Sequence, residues 1–156
     1  LRRFLYLISP NKIYNNFYKD LDKVLSSKKV KYFQLRLKRQ SETKILKIAK
    51  KIKTITKKHR VKMIINDHPV IAKKSKADGC HLGQKDGQVE NARRLLKNKI
   101  IGVTCHGSKK LIEDAIKQKI DYLALGSFFK SKLKPKAKKA RKNLILWCKR
   151  RSHLPI

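Results

Sequence analysis

Short apolar runs of strand length alternate with helix-spaced apolar residues six times along this chain, and strict alternation leaves few folds open. Phe4–Ile8, Val30–Arg36, Val61–Ile65, Gly79–Leu82, Lys99–Thr104 and Ile120–Leu125 read as strands. Between them come Phe17, Leu21, Val24 and Leu25 at helical spacing. Ile45, Ile48, Ala49, Ile52 and Ile55 follow behind a start at Ser41. A short helix is predicted over Val70–Ser75, another through Val89, Ala92, Leu95 and Leu96, and one behind Ser108 through Leu111, Ile112, Ala115 and Ile116. Ala140, Leu144, Trp147 and Cys148 mark the last. Such a βα series implies a parallel sheet, either in a (β/α)₈ barrel or in a doubly wound sheet. Pro155 and Ile156 stand where a seventh strand would begin. A barrel takes roughly 200 residues or more, so a barrel reading carries the expectation that the C-terminus is cut.

The chain is expected to be one domain, residues 1–156, with 40% hydrophobic residues for a core. It holds 43 basic residues against 10 acidic, a net charge of +33. Charge of this size suits a polyanion partner. A Lys-rich solvated surface accounts for it as well, since Ile, Asn and Lys are abundant together. Three cysteines without a CxxC pair argue against a disulfide scaffold and for a reducing cytoplasm. Leu1-Arg2-Arg3 followed by Phe4–Ile8 is too short for a signal peptide, and no run is long enough to span a bilayer.

With so few acids, Asp67 and Asp86 stand out, each placed just after a strand. Either alone reads as a helix start or a loop residue. Together, after adjacent strands, they could hold one hard divalent cation such as Mg²⁺, with substrate phosphate oxygens completing its shell. Gln34, Arg36 and Lys38 share one face of the second strand, a polar set suited to an anion at the strand's C-terminal end. Thr104 ends the fifth strand with a hydroxyl, and Gly126 to Lys134 follows the sixth with several lysines. Cys80-His81 and Cys105-His106 suggest zinc, but neighbours on a strand point to opposite faces, so the four cannot converge. His81 can then face the site while Cys80 packs outward.

Gln34-Leu35-Arg36-Leu37-Lys38, Ile65-Asn66-Asp67, Ala77 through Asp86, Gly102-Val103-Thr104 and Leu125 through Phe129 occur in an order that resembles thiamine phosphate synthase (thiamine-phosphate pyrophosphorylase). The resemblance covers essentially the whole chain, and Ala77 to Asp86 is its most specific part. It implies an incomplete TIM (β/α)₈ barrel of six βα units and the start of a seventh strand. The implied enzyme is a transferase that joins hydroxymethylpyrimidine diphosphate to hydroxyethylthiazole phosphate, releasing pyrophosphate. By the same resemblance Asp67 and Asp86 hold Mg²⁺. Gln34, Arg36, Lys38, Asn66, Thr104 and Lys134 bind the pyrimidine diphosphate, and Ser131 touches the thiazole phosphate. His81 is added to the substrate-binding set by its inward place on the fourth strand, not by the resemblance. The chain departs from the family pattern at Leu37, usually Glu, at Thr104, usually Ser, and at Leu133, where a hydroxyl is lost.

A thiazole tautomerase relative is the runner-up, disfavoured by retention of both acids and of Gln34, Arg36 and Lys38. A basic nucleic-acid-binding protein is the third reading, weakened by the lack of a binding motif. The expected partners are therefore small molecules, with no membrane and no nucleic acid; oligomeric state is left open.

Overall fold

The computed structural model describes residues 4–129 and 139–156. In chain order the elements are β1 (Leu5–Ile8), α1 (Phe17–Ser26), β2 (Val30–Leu35), α2 (Glu42–Lys58), β3 (Lys62–Asn66) and α3 (Pro69–Lys74). They continue with β4 (Gly79–Leu82), α4 (Val89–Leu96), β5 (Ile100–His106), α5 (Lys109–Ile116), β6 (Tyr122–Leu125) and α6 (Asn143–Lys149). The six strands form one parallel sheet in sequence order, β1 to β6. A doubly wound sheet reverses its strand order part-way, and this one does not.

Strand alternation sorts the residues into two faces. Leu7, Phe33, Leu35, Met63, Ile65, Cys80, Leu82, Ile101, Val103, Cys105 and Leu123 face the helices and build the main core with Leu21, Leu25, Ile45, Ile52, Ile71, Ala92, Ile112 and Leu144. The helices bring matching apolar stripes, and Ser41 and Ser108 cap α2 and α5 by accepting from Lys44 N (3.3 Å) and Leu111 N (3.3 Å). The opposite face carries Tyr6, Tyr32, Gln34, Asn66, His81, Gly102, Thr104 and Tyr122. It is concave: Tyr6 on one edge strand and Tyr122 on the other share a 2.7 Å hydrogen bond, with ring centroids 5.9 Å apart. Edge strands of a flat six-stranded sheet would stand about 24 Å apart, given a strand spacing of roughly 4.8 Å. The sheet is therefore curled far enough for its two edges to touch across the inside, as a half-barrel.

Several boundaries shift from expectation. β2 ends at Leu35, which puts Arg36 and Lys38 just past the strand. β5 runs on to His106 because a register irregularity after Thr104 lets His106 pair with Leu125. β6 begins at Tyr122, α3 spans Pro69–Lys74, and Ala140 precedes α6. Leu123 N donates to Pro155 O at 2.9 Å, so Pro155 lies along β6 where a seventh strand was expected to start.

At the N-terminal ends of the strands, two aspartates do the same job. Asp78 accepts from Met63 N (2.8 Å) and from Lys53 Nζ (2.6 Å); Asp121 accepts from Ile101 N (2.7 Å) and from an Arg93 guanidinium nitrogen (2.6 Å). Each acid precedes a strand and ties down the amide of the second residue in the strand before it. Asp78→Ala strands the Met63 N–H, which is expected to cost about 1–3 kcal/mol in urea unfolding. A loss below ~0.5 kcal/mol would show that the clamp does not hold the sheet.

Candidate active site

The C-terminal ends of β2, β3 and β4 bring the polar residues together. Gln34 is buried on the concave face. Beyond it the outgoing chain is held from the β1 side: Arg36 N donates to Ser9 Oγ (2.9 Å) and Lys38 N to Asn11 Oδ1 (2.7 Å). These two contacts steer the Arg36 and Lys38 segment along the mouth. Lys38 Nζ then comes within 3.7 Å of Asp67 Oδ2.

Asp67 leaves β3 with φ at +65°, and its N–H is held by His81 O at 2.8 Å. Asp is one of the few residues that tolerates this left-handed backbone. The turn frees its side chain from helix capping. The N-cap of α3 is His68, without a side-chain cap hydrogen bond, and Pro69 opens the helix. Asp86 curls back so that its Oδ2 accepts from Gly83 N at 2.9 Å. A Cβ on residue 83 would stand 2.5 Å from that oxygen, so glycine is what lets the carboxylate in. Burial raises the Asp67 pKa, and the neighbouring Asp86 carboxylate raises it further; Lys38 and His68 oppose them. Two carboxylates are thus pressed together with one nearby lysine, an oxygen pair that a hard dication would relieve. Among the described residues no third His, Cys, Asp or Glu joins them in a ligand cluster.

Asn66 is buried and registers against His81 on β4, which registers against Gly102 on β5. His81 Nε2 lies 2.7 Å from Thr104 Oγ1, and Nδ1 lies 2.8 Å from the Tyr122 hydroxyl. Burial pushes the imidazole down to about 4, with Arg36 adding to the effect and Asp86 opposing it, so the ring is neutral at pH 7. Cys80 lies in the helix-side core, on the opposite face from His81.

The family model for thiamine monophosphate synthase matches residues 5–156. The chain belongs to the thiamine monophosphate synthase family. It is 54% identical over 156 residues to the thiamine-phosphate synthase of Pelagibacter ubique, covering 99% of this chain and 75% of that relative. The thiamine-phosphate synthase of Erythrobacter litoralis is 39% identical, over 85% of this chain and 63% of its own length. Among solved structures, thiamine phosphate pyrophosphorylase from Pyrococcus furiosus superposes with a TM-score of 0.73 at 26% identity, covering 81% of this chain and 61% of that one. The chain thus spans between about three fifths and three quarters of these relatives.

Of the residues that family resemblance selects, Gln34, Arg36, Lys38, Asn66, Asp67, His81, Asp86 and Thr104 belong to one concave face and its rim. Ser131, Leu133 and Lys134 lie outside the described residues. Sequence reasoning missed Tyr6 and Tyr122, which floor the site, and Ser9 and Asn11, which hold its rim. The usable signal was Gly102: a glycine inside a strand marks a close approach, here by the Tyr122 ring.

Proposed function

We propose that the chain carries the pyrimidine-diphosphate half of a thiamine phosphate synthase site on six of the eight βα units of a TIM barrel. The reaction joins hydroxymethylpyrimidine diphosphate to hydroxyethylthiazole phosphate, giving thiamine phosphate and pyrophosphate. The single observation that carries this reading is the convergence of Asp67 and Asp86 beside Lys38 at the strand ends. Barrel enzymes place their chemistry at that face.

Asp67 and Asp86 are the residues that would hold Mg²⁺. When bound there, the ion supplies positive charge to the diphosphate oxygens. Arg36 and Lys38 add fixed cationic charge at the rim, which favours the pyrophosphate as negative charge grows on it. Gln34 and Asn66 offer amides to the pyrimidine side of the same face. The C–O bond to the diphosphate breaks with its electron pair leaving on pyrophosphate, and the thiazole nitrogen lone pair forms the new C–N bond. A buried neutral His81 beside the reaction path adds no charge to oppose the developing pyrimidine cation.

Calorimetric titration with the pyrimidine diphosphate tests this. Affinity is expected to rise at least tenfold on adding Mg²⁺, and the gain is expected to vanish in Asp86→Asn. Equal affinity with and without Mg²⁺, together with tight, steeply salt-dependent binding of any RNA, would replace the enzyme reading with a polyanion-binding one.

A further inference from the structure

A continuous hydrogen-bond chain crosses the concave face, and the steps above make no use of its connectivity. Gln34 Nε2 donates to the Tyr6 hydroxyl at 3.2 Å. Tyr6 and Tyr122 share the 2.7 Å bond between the edge strands. Tyr122 meets His81 Nδ1 at 2.8 Å, and His81 Nε2 meets Thr104 Oγ1 at 2.7 Å. Five side chains on five strands are joined end to end.

The direction of the protons follows from the first link. An amide N–H only donates, so the Tyr6 oxygen accepts from Gln34. If Tyr6 then donates to Tyr122, Tyr122 donates to Nδ1, and Nε2–H donates to Thr104. Each phenol accepts once and donates once, and the one proton left over is that of Thr104, which is partly exposed at the mouth. In the reverse order Thr104 donates to Nε2, Nδ1–H donates to Tyr122, and Tyr122 donates to Tyr6. The leftover proton is then that of Tyr6. Among the described residues the Tyr6 hydroxyl has hydrogen-bond partners only in Gln34 and Tyr122, and burial pushes the pKa of this phenol up to about 12, so the proton would be stranded in the desolvated part of the face. An unpaired buried donor costs more than a free hydroxyl at a wet mouth.

We propose that the chain runs one way, from Gln34 through Tyr6, Tyr122 and His81 to Thr104. Tyr6 and Tyr122 are then positioning residues: they hold His81 as its Nε2–H tautomer and leave the Thr104 hydroxyl as a hydrogen-bond donor toward the bound diphosphate. The last clause rests on the function proposed above; the tautomer does not.

Nitrogen-15 NMR of histidine-labelled protein separates the two. The His81 signals are expected to show a protonated Nε2 and a bare Nδ1 in the 156-residue chain without ligand. Tyr122→Phe keeps the ring but removes the donor to Nδ1, and is expected to give a mixture of tautomers. The same variant should bind the Mg²⁺–pyrimidine diphosphate roughly 3–10-fold more weakly, the loss of about one neutral hydrogen bond. Thr104→Ser is expected to retain both tautomer and affinity, and Thr104→Val to lose affinity. A protonated Nδ1 in the unsubstituted chain overturns the relay. Unchanged affinity in Thr104→Val overturns the donor role alone. An Nε2–H tautomer in a chain that fails to bind the diphosphate sinks the proposed function and the donor role, and leaves the relay standing.

Discussion

Asp67→Asn is expected to lower turnover by at least about 100-fold, the scale on which removing one preorganised charge-stabilising group acts, while leaving the metal-free fold as stable as before or more so. The two effects have opposite signs because the same carboxylate serves the metal and burdens the empty fold. In the folded chain the Asp67 pKa is raised, by burial first and then by Asp86. A carboxyl with a raised folded-state pKa destabilises as it ionises, so the penalty is absent at pH values below the ordinary carboxylate pKa and grows as pH rises through the raised one. Asparagine removes that charge and keeps the shape. It also keeps the backbone: φ at +65° is one that Asn adopts readily and Ala does not. Thermal unfolding at pH 7 should show a melting temperature no lower than that of the unsubstituted chain without Mg²⁺. With Mg²⁺ the order should invert, because only the chain with both acids gains binding energy. A variant that loses activity and melts markedly lower in the absence of metal would mean that Asp67 holds the β3 end together structurally, through its contact with Lys38, and that its metal role is unsupported.

Much of this arrangement could be read from the residues because it rests on periodicity. Six apolar runs and the helical stripes between them were enough to predict the order of elements, and alternation along β2 and β4 placed Gln34 and His81 inward and Cys80 outward. Periodicity says nothing about how far a sheet curls. That depends on what meets across the concave face, and the meeting of Tyr6 with Tyr122 joins residues 116 positions apart. A tyrosine in a strand is ordinary on β propensity alone, so neither stood out. Asp67 was ambiguous for a different reason. Acid before His-Pro is what a helix start looks like, and only the positive φ and the His68 N-cap show that its side chain is spared from that duty. Arg36 and Lys38 were placed on a strand that stops at Leu35; the contacts from Ser9 and Asn11 that carry them onward are between loops, where no spacing rule applies.

Gly102→Ala is expected to be among the most damaging single methyls that could be added to the concave face. Its Cβ would stand 1.9 Å from Cζ of Tyr122, and two further ring atoms lie within 2.4 Å. A phenol ring is rigid, and this one is held on both sides. It stacks on His81 with centroids 5.6 Å apart, and its hydroxyl is bonded to both Tyr6 and His81. The ring cannot give by a rotamer adjustment, so it must leave the floor, break both hydrogen bonds and open the contact that closes the curled sheet. Overpacking and a lost pair of buried hydrogen bonds together are expected to cost about 2–4 kcal/mol, with a matching fall in diphosphate affinity because His81 loses its Nδ1 partner. A double-mutant cycle decides whether the ring is the cause. Tyr122→Ala will itself be costly, but in that background Gly102→Ala has nothing to strike, and the pair should show a favourable coupling of about 1–3 kcal/mol. Additive effects would mean that Gly102 is required for some other reason, such as the β-strand backbone itself, and would remove the support that the Tyr122 ring lends to the curvature of the site.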